Sequence, residues 1–275
     1  MSSSANATVR CLVPLDIGAV MELSSLAGWN QTAEDWKMLL NLEPQGCFGI
    51  EADGHIVATT TVLSFGQKVA WVGMVLTHPD FRKRGFAHEL IARAMERARR
   101  LGIQTVKLDA TQEGRPLYES FGFREEQPVE RWLRQAAAQE PSGFVDDSPA
   151  PEPSAMDIEA CGYDRSALIA ALKERSRSLQ MSGGYLLSRP GRLCRYIGPC
   201  VARDAVSAST LLRRCMESIP EANWFWDLLP QNKSAREIAE RLGFAPQRRL
   251  TRMSFGPRLL GREEWIYAIA GFELG

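Results

Sequence analysis

The sequence predicts an α/β protein on a mixed sheet, with one fold present in two tandem copies. First, a strand, a helix and a second strand follow one another over residues 69–108, and such a crossover makes the two strands parallel. Second, two apolar runs meet at Asp53-Gly54, a strong signal for an antiparallel hairpin. Third, the segment YESFGF at residues 118–123 returns as AERLGF at residues 239–244, at an offset of 121.

Length and charge restrict the class of protein. A chain of 275 residues suits two domains. Lys plus Arg and Asp plus Glu both number 33, so the net charge gives no reason to expect a nucleic-acid partner. No apolar run is long enough to cross a membrane. The N-terminal segment lacks the hydrophobic core of an export signal, so we expect a cytoplasmic protein with no membrane partner.

The cysteines and histidines predict no metal site. None of the six cysteines has C-x-x-C spacing, and the three histidines stand in unrelated positions. We therefore expect reduced, mostly buried thiols and no catalytic metal.

The first 64 residues predict a short strand, two helices and the hairpin, at residues 9–13, 16–25, 32–42, 47–52 and 55–64. Asp16 is a suitable N-cap for the first helix. His55 follows the turn, and we expect it to be exposed.

The central segment begins with an apolar, β-branched run at residues 69–76, which is typical of a buried strand. A basic loop follows, and residues 88–100 then predict an amphipathic helix that ends at Gly102. The expected apolar face comprises Phe86, Leu90, Ile91, Ala94, Met95, Ala98 and Leu101, and the expected solvent face comprises Arg93, Glu96, Arg97 and Arg100.

The loop between this strand and helix is a candidate anion site. The first amides of a helix have no intrahelical partner, and the helix dipole is positive there. Gly85 allows close approach of a phosphate to the backbone, and Arg82, Lys83 and Arg84 add positive charge. The pattern predicts a di- or polyphosphate ligand. Such a hexapeptide also occurs by chance, so a solvated basic loop is the alternative.

Residues 103–108 predict the second strand, and residues 116–123 a short helix that begins at Pro116 and ends at Gly122. This order resembles the GCN5-related N-acetyltransferase (GNAT) family, which carries R/Q-x-x-G-x-G/A at a helix start and then a tyrosine in a pattern like L-Y-E-x-x-G-F. The resemblance covers residues 8–133. Ala87 is a common variant of the last glycine. An Asn that the family often carries near the end of the second strand is absent, and residues 111–114 read TQEG instead.

The resemblance implies acyl transfer from acetyl-CoA. Backbone groups of the central strand would hold the pantetheine arm and polarise the thioester carbonyl, while the basic turn would hold the pyrophosphate. Tyr118 would be the general acid for the leaving sulfur; a packing tyrosine is the alternative. The cofactor-binding residues implied in this way are Met74, Val75, Leu76, Arg82, Lys83, Arg84, Gly85, Phe86, Ala87 and His88.

The sequence leaves the general base and the acceptor site open. No glutamate occupies residues 71–76, where some members of the family carry one. A water relay, Asp109 or a group from the second domain are the options, and a capping or turn role is the favoured reading of Asp109. Trp29 could contact the acceptor, although a core role is favoured because aromatic residues usually supply buried area.

The second half repeats the first. Residues 1–135 form the predicted catalytic domain, residues 136–155 a proline-rich linker and residues 156–275 the second copy. Its expected elements are an opening helix at 163–178 capped by Asp164, a central strand at 192–202, a long helix at 205–218 and a strand at 224–229. At the offset of 121, Arg131 falls on Arg252.

The two copies differ where chemistry would occur. The second has no glycine at residues 202–207 and carries Asp204 beside the expected phosphate position. Ala239 stands where the first copy has Tyr118. We therefore expect the second copy to lack cofactor turnover, to support the first and to wall its acceptor cleft. A second copy with a ligand of its own is the alternative.

The function expected from these features is transfer of an acetyl group from acetyl-CoA to a primary amine of a small molecule. A protein or peptide N-acetyltransferase and a non-catalytic acyl-CoA sensor are the alternatives. The expected partners are acetyl-CoA and a small amine, and a homodimer stays possible. The sequence does not identify the acceptor or the length of the acyl chain.

Overall fold

The computed structural model describes residues 7–136, 155–259 and 261–275. Of the linker predicted at residues 136–155, all but the two end residues lie outside this description. The elements of the first half are β1 (Ala7–Cys11), α1 (Ile17–Leu26), α2 (Ala33–Leu42), β2 (Cys47–Ala52), β3 (His55–Phe65), β4 (Val69–Thr77), α3 (Phe86–Arg100), β5 (Thr105–Ala110), α4 (Arg115–Ser120) and β6 (Arg124–Arg134).

The second half repeats this order from the helices onward. Its elements are α5 (Ala155–Cys161), α6 (Ser166–Lys173), β7 (Arg177–Met181), β8 (Gly184–Arg189), β9 (Arg195–Ala202), α7 (Ala205–Glu217), β10 (Trp224–Leu228), α8 (Lys233–Arg241), β11 (Ala245–Phe255) and β12 (Ile266–Ala268). The strands β6 and β11 start at Arg124 and Ala245, so the offset of 121 found in the sequence is an offset between equivalent elements. The predicted tandem α/β fold is confirmed.

All the described strands belong to one sheet. Its order is β1-β2-β3-β4-β5-β11-β6-β10-β9-β8-β7, and β12 pairs with β9. The pairs β4–β5 and β9–β10 are parallel and the others antiparallel, which makes the sheet mixed. In each half the parallel pair comes from a strand–helix–strand crossover, as the sequence predicts.

The two halves exchange their long C-terminal strands. β11 of the second half lies between β5 and β6 of the first, and β6 pairs on its other side with β10 of the second half. The order is therefore nearly symmetric about the β11–β6 pair. Each half completes the sheet of the other, which the sequence did not indicate.

The hairpin turn and the face of α3 follow the predictions, with two exceptions. Asp53 and Gly54 have φ values of 52° and 79°, as a type I′ turn requires. Arg97 was expected at the solvent face of α3 but is buried, because it forms an ion pair of 2.6 Å with Glu43. Leu101 was expected in the core but is exposed, because it follows the last turn of the helix.

Two helix predictions need correction. The carboxylate of Asp16 does not cap α1; it accepts hydrogen bonds from the Val13 amide and from Arg10. The helix expected at residues 163–178 is shorter, since α6 spans Ser166–Lys173 and the strand β7 begins at Arg177. Asp164 does bind the Ser166 amide, at 2.8 Å.

Candidate active site

The groove of the candidate site opens where β4 separates from β5. These parallel strands pair only over Val69–Trp71. Further along β4, the register with β3 shifts, since Gly73 lies opposite Thr61 and Leu76 lies opposite Thr59. Two residues of β4 thus face one residue of β3, which is a β-bulge. Beyond Trp71, the edge of β4 that faces β5 has no strand partner among the described residues.

Side chains of β3 hold the bulge in place. Met74 has a φ of 50°, an uncommon value for a residue with a side chain. The hydroxyl of Thr59 donates to the Met74 carbonyl at 2.7 Å, and the hydroxyl of Thr60 donates to the Gly73 carbonyl at 3.3 Å. The Met74 side chain is buried in the core. The strained backbone is therefore held both by these hydrogen bonds and by the packing of the Met74 side chain.

The start of α3 presents free backbone amides. Gly85 is the N-cap, with φ of 85°, and no side chain caps the helix. The first helical hydrogen bond runs from the Glu89 amide to the Gly85 carbonyl, at 3.0 Å. The amides of Phe86, Ala87 and His88 are left for an external acceptor, at the positive end of the dipole.

The basic side chains of the loop have different surroundings. Arg82 donates to the Thr77 carbonyl at 3.3 Å, and Arg84 donates to the Asp80 carbonyl at 3.1 Å. The Arg84 guanidinium lies 4.6 Å from the centre of the Phe81 ring. Lys83 is exposed and has a φ of 62°. The arginines therefore order the loop while their charge stays at its surface.

A cleft of about 690 Å³ joins the bulge to the start of α3 and to α4. Of the residues predicted for the site, the cleft is lined by Trp29, Met74, Val75, Leu76, Arg82, Ala87, Asp109 and Tyr118. The other predicted residues lie on the adjoining loop and first helical turn rather than in the lining; they are Lys83, Arg84, Gly85, Phe86 and His88. The ring of His88 packs on Phe121, with centroids 4.7 Å apart.

Tyr118 extends from α4 into the cleft. Only 7% of the residue is exposed, and its hydroxyl has no hydrogen-bond partner among the described residues. Burial raises the pKa of this phenol, so the hydroxyl keeps its proton at neutral pH. A protonated hydroxyl without a partner is available to donate to a ligand.

Asp109 belongs to an ion pair between the halves. Its two carboxylate oxygens accept from Arg252 of β11, at 2.9 and 3.0 Å. The residue lies within β5, so the favoured reading as a capping or turn residue is wrong. Burial raises the pKa of Asp109, and the positive charge of Arg252 opposes this shift. The pairing favours a structural role over proton transfer.

The loop that carries Trp29 is fixed by the second half. The side-chain oxygen of Asn30 accepts from the amides of Leu193 and Cys194, at 2.8 and 3.0 Å. Arg192 donates through Nε to the Trp29 carbonyl at 2.9 Å. Trp29 both packs against the core and lines the cleft, so the two readings of this residue are compatible.

Sequence reasoning missed several residues of the lining. They are Gln31 and Arg131 from the first half, and Arg248, Leu250, Phe272 and Glu273 from the second. The offset of 121 that relates Arg131 to Arg252 was a signal that these arginines matter in both halves. Nothing in the pattern around Glu273 indicated that the end of the chain reaches the cleft.

The equivalent region of the second half is closed. The carboxylate of Asp204 accepts from the Ser207 amide at 2.8 Å and so caps α7. The strand β12 pairs with β9 at Cys200 and Val201, the part of β9 beyond its pairing with β10. In the second half, residues of the chain itself therefore occupy the helix start and the strand edge. The equivalent helix start and strand edge of the first half stay free among the described residues.

The residues that the structure describes contain no group of three or more His, Cys, Asp or Glu side chains able to bind a metal. All six cysteines are free, and three of them are buried. No helix in the described ranges is long and apolar enough to cross a membrane.

Two family models match this chain. Residues 20–123 match the model of the acetyltransferase (GNAT) family, and residues 154–268 match an acetyltransferase (GNAT) domain model. An uncharacterised N-acetyltransferase of Methanocaldococcus jannaschii is 32% identical over 108 residues, which are 36% of this chain and 48% of that protein. The matched segments span about half the length of the curated relatives.

Solved structures share the whole fold. A candidate acetyltransferase of Pyrococcus horikoshii aligns with a TM-score of 0.86 and 22% identity, over 100% of this chain and 98% of that one. A tandem GNAT protein from the clavulanic acid biosynthesis pathway aligns with a TM-score of 0.62 and 16% identity, over 92% and 100% of the two chains. At these identities the likeness concerns the fold alone. Together with the two family models, it shows that this chain belongs to the GNAT acetyltransferase family, with two family domains in tandem.

Proposed function

We propose that the protein is an N-acetyltransferase that moves an acetyl group from acetyl-CoA to a primary amine of a small molecule. One observation carries the proposal: a single cleft joins the bulged edge of β4, the uncapped start of α3 and the hydroxyl of Tyr118. These are the three elements that a thioester donor needs.

Each element has a role in the proposed reaction. The amides of Phe86, Ala87 and His88 would bind the pyrophosphate of coenzyme A, with the basic loop adding charge. The free edge of β4 at Met74–Leu76 would hydrogen-bond the pantetheine arm. A backbone amide there would stabilise the negative charge that develops on the thioester oxygen. Tyr118 would donate its proton toward the leaving sulfur.

The second half supports a small acceptor. Its residues Arg248, Leu250, Phe272 and Glu273 form part of the cleft wall, and its β8–β9 segment fixes the loop of Trp29. A cleft with walls from both halves favours a compact molecule over an extended peptide. Since the helix start and strand edge of the second half are occupied, we assign the reaction to the first half alone.

The test is acetyl transfer by the whole chain. Acetyl-CoA is offered with a panel of small primary amines and, separately, with peptides that carry a free N-terminus or a lysine; released thiol and acetylated product are both measured. Turnover with small amines supports the proposal. Turnover confined to peptides would reassign the acceptor, and acetyl-CoA binding without product from any amine would indicate a sensor.

A further inference from the structure

The residues after β12 bring Glu273 to the cleft. The indole of Trp71 in β4 donates to the Phe272 carbonyl at 2.9 Å. The backbone of Glu273 packs directly on Gly73, since a Cβ built at Gly73 would lie 2.7 Å from the Glu273 carbonyl oxygen. Glu273 is thus held beside the residue that precedes the bulge, and both residues line the cleft.

The fixed position of Glu273 depends on several contacts of the tail. The amides of Leu274 and Gly275 donate to the Gly271 carbonyl, at 3.0 and 2.9 Å. Arg165 donates to the Gly275 carbonyl at 2.8 Å, and Leu274 is 1% exposed. The backbone on both sides of Glu273 is therefore held by hydrogen bonds and by burial of Leu274.

Glu273 is buried, and among the residues that the structure describes no cation lies closer than 3.9 Å to its carboxylate. Glu273 is 6% exposed, and its nearest cation, Nη2 of Arg189, lies 3.9 Å from Oε1. Burial is the main cause that raises the pKa of this carboxyl, and Asp35 raises it further. The polar groups that face it from the neighbouring elements are Gln31, Asp35, Arg131, Arg189 and Tyr196.

These groups are mostly engaged elsewhere. Arg131 is paired with Asp227 at 2.6 Å, and Asp35 is paired with Arg175 at 2.9 Å. Arg189 donates to the carbonyls of Gly198 and Ala270, at 2.9 and 2.7 Å. Glu273 is therefore a buried acid beside the cleft, and the groups that favour its charged form are Arg189, its own backbone and the side chain of Gln31.

We infer that Glu273 binds the ammonium group of the acceptor and accepts its proton before the attack on the thioester. The inference rests on the proposed function and supplies its missing base. It also narrows the acceptor to amines that are cationic in solution, because a neutral amine would gain nothing from this carboxylate. The catalytic base of the first half thus comes from the second.

The proton balance of the reaction is complete with these residues. The acceptor nitrogen loses two protons as its bond to the acetyl carbon forms and the carbon–sulfur bond breaks. The first goes to the Glu273 carboxylate and then to solvent. The second replaces the proton that Tyr118 gives to the departing sulfur, so the products are the amide, coenzyme A thiol and one released proton.

The experiment measures kcat/KM against pH for the wild type with two amines whose own pKa values differ by about 2 units. An ionised Glu273 is required, so we expect an acid limb that stays at the same pH for both amines. A limb that moves with the amine pKa, or no limb, would overturn the inference while leaving the transfer reaction intact.

Variants then show whether Glu273 is the group responsible for the acid limb of the profile. Glu273→Gln should lower kcat/KM at least 100-fold and remove the fixed limb, while the affinity for acetyl-CoA and the thermal midpoint stay near the wild-type values. Glu273→Asp should retain part of the rate and the limb. The control Glu217→Gln, on the exposed side of α7, should leave the profile unchanged. An unaltered limb in Glu273→Gln would refute the role; absence of transfer by the wild type would instead refute the proposed function.

Discussion

Arg131 and Arg252 stand at equivalent positions, 121 residues apart, and each binds an aspartate of the opposite half. Arg131 of β6 contacts Asp227 of β10 at 2.7 and 2.6 Å, and Arg252 of β11 contacts Asp109 of β5 at 2.9 and 3.0 Å. Both pairs follow from the strand exchange, which carries each arginine into the sheet of the other half. All four side chains are almost completely buried.

Removing one carboxylate from these pairs should destabilise the whole chain. Asp109→Asn leaves the buried Arg252 guanidinium with an unbalanced charge, and we expect a loss of about 3–5 kcal/mol in the free energy of unfolding. Urea denaturation measures it. Glu96→Gln, which breaks the surface pair with Arg93, is the matched control and should change little. A loss in Asp109→Asn no larger than that of the control would show that the pair is not needed.

Tyr118→Phe tests the proton donor of the proposed reaction. The ring still fills its buried site, whereas the hydroxyl that faces the cleft is lost. We expect kcat to fall by about 100-fold or more, with little change in the dissociation constant of acetyl-CoA. Steady-state kinetics and calorimetric titration measure the two quantities. An unchanged kcat would leave Tyr118 as a packing residue.

Gly85→Ala tests the anion site at the start of α3. An added Cβ meets no atom within 4 Å, so the cost comes from the φ of 85° and amounts to about 1–2 kcal/mol. If the loop relaxes from this conformation, the amides no longer converge, and we expect acetyl-CoA to bind about tenfold more weakly.

Gly54→Ala is the control for this variant. Gly54 also has a positive φ, of 79°, and open space around it, but it belongs to the β2–β3 turn. The two variants should lose similar stability, and only Gly85→Ala should lose affinity. Equal affinities for acetyl-CoA would argue against a phosphate site at α3.

Asp204 gives a pH-dependent contribution to stability. Its hydrogen bond from the Ser207 amide holds the pKa of this carboxyl below its usual value of about 3.9. A lowered pKa in the folded state means that the contribution is complete above the unfolded pKa and is lost as pH falls through the folded one. Asp204→Asn keeps a capping side chain without the charge, so the wild type should be the more stable at pH 6, and the difference should shrink as pH falls below the unfolded pKa of about 3.9. Thermal midpoints across this range measure it, and a constant difference would contradict the assignment.

Local patterns predicted the parts of the site that neighbouring residues determine. The hairpin at Asp53-Gly54, the uncapped helix after Gly85 and the tyrosine of α4 all lie where the sequence placed them. Each depends on the conformational preference of a glycine or on the periodicity of one helix. The offset of 121 likewise predicted the second copy, because a repeat can be recognised in the sequence without knowing which residues are in contact.

The features that the sequence did not predict depend on contacts between residues that lie far apart in the chain. The helical pattern predicted Arg97 at the surface, but Arg97 is buried because it pairs with Glu43, 54 positions away. Asp109 meets its partner 143 residues later. Glu273 reaches the cleft only because the tail crosses from β12 to Gly73. Such pairings cannot be predicted from the periodicity of charged residues or from turn-forming residues.

The exchange of β6 and β11 also constrains how the polypeptide folds during synthesis. The inner edge of β5 acquires its native neighbour only after residues 245–255 have been translated. The N-terminal half therefore leaves the ribosome with an incomplete sheet, which it can complete only after β11 has been synthesised. Maturation of the cleft is consequently coupled to synthesis of the second half, and a premature stop before β11 would leave an open strand edge exposed to aggregation.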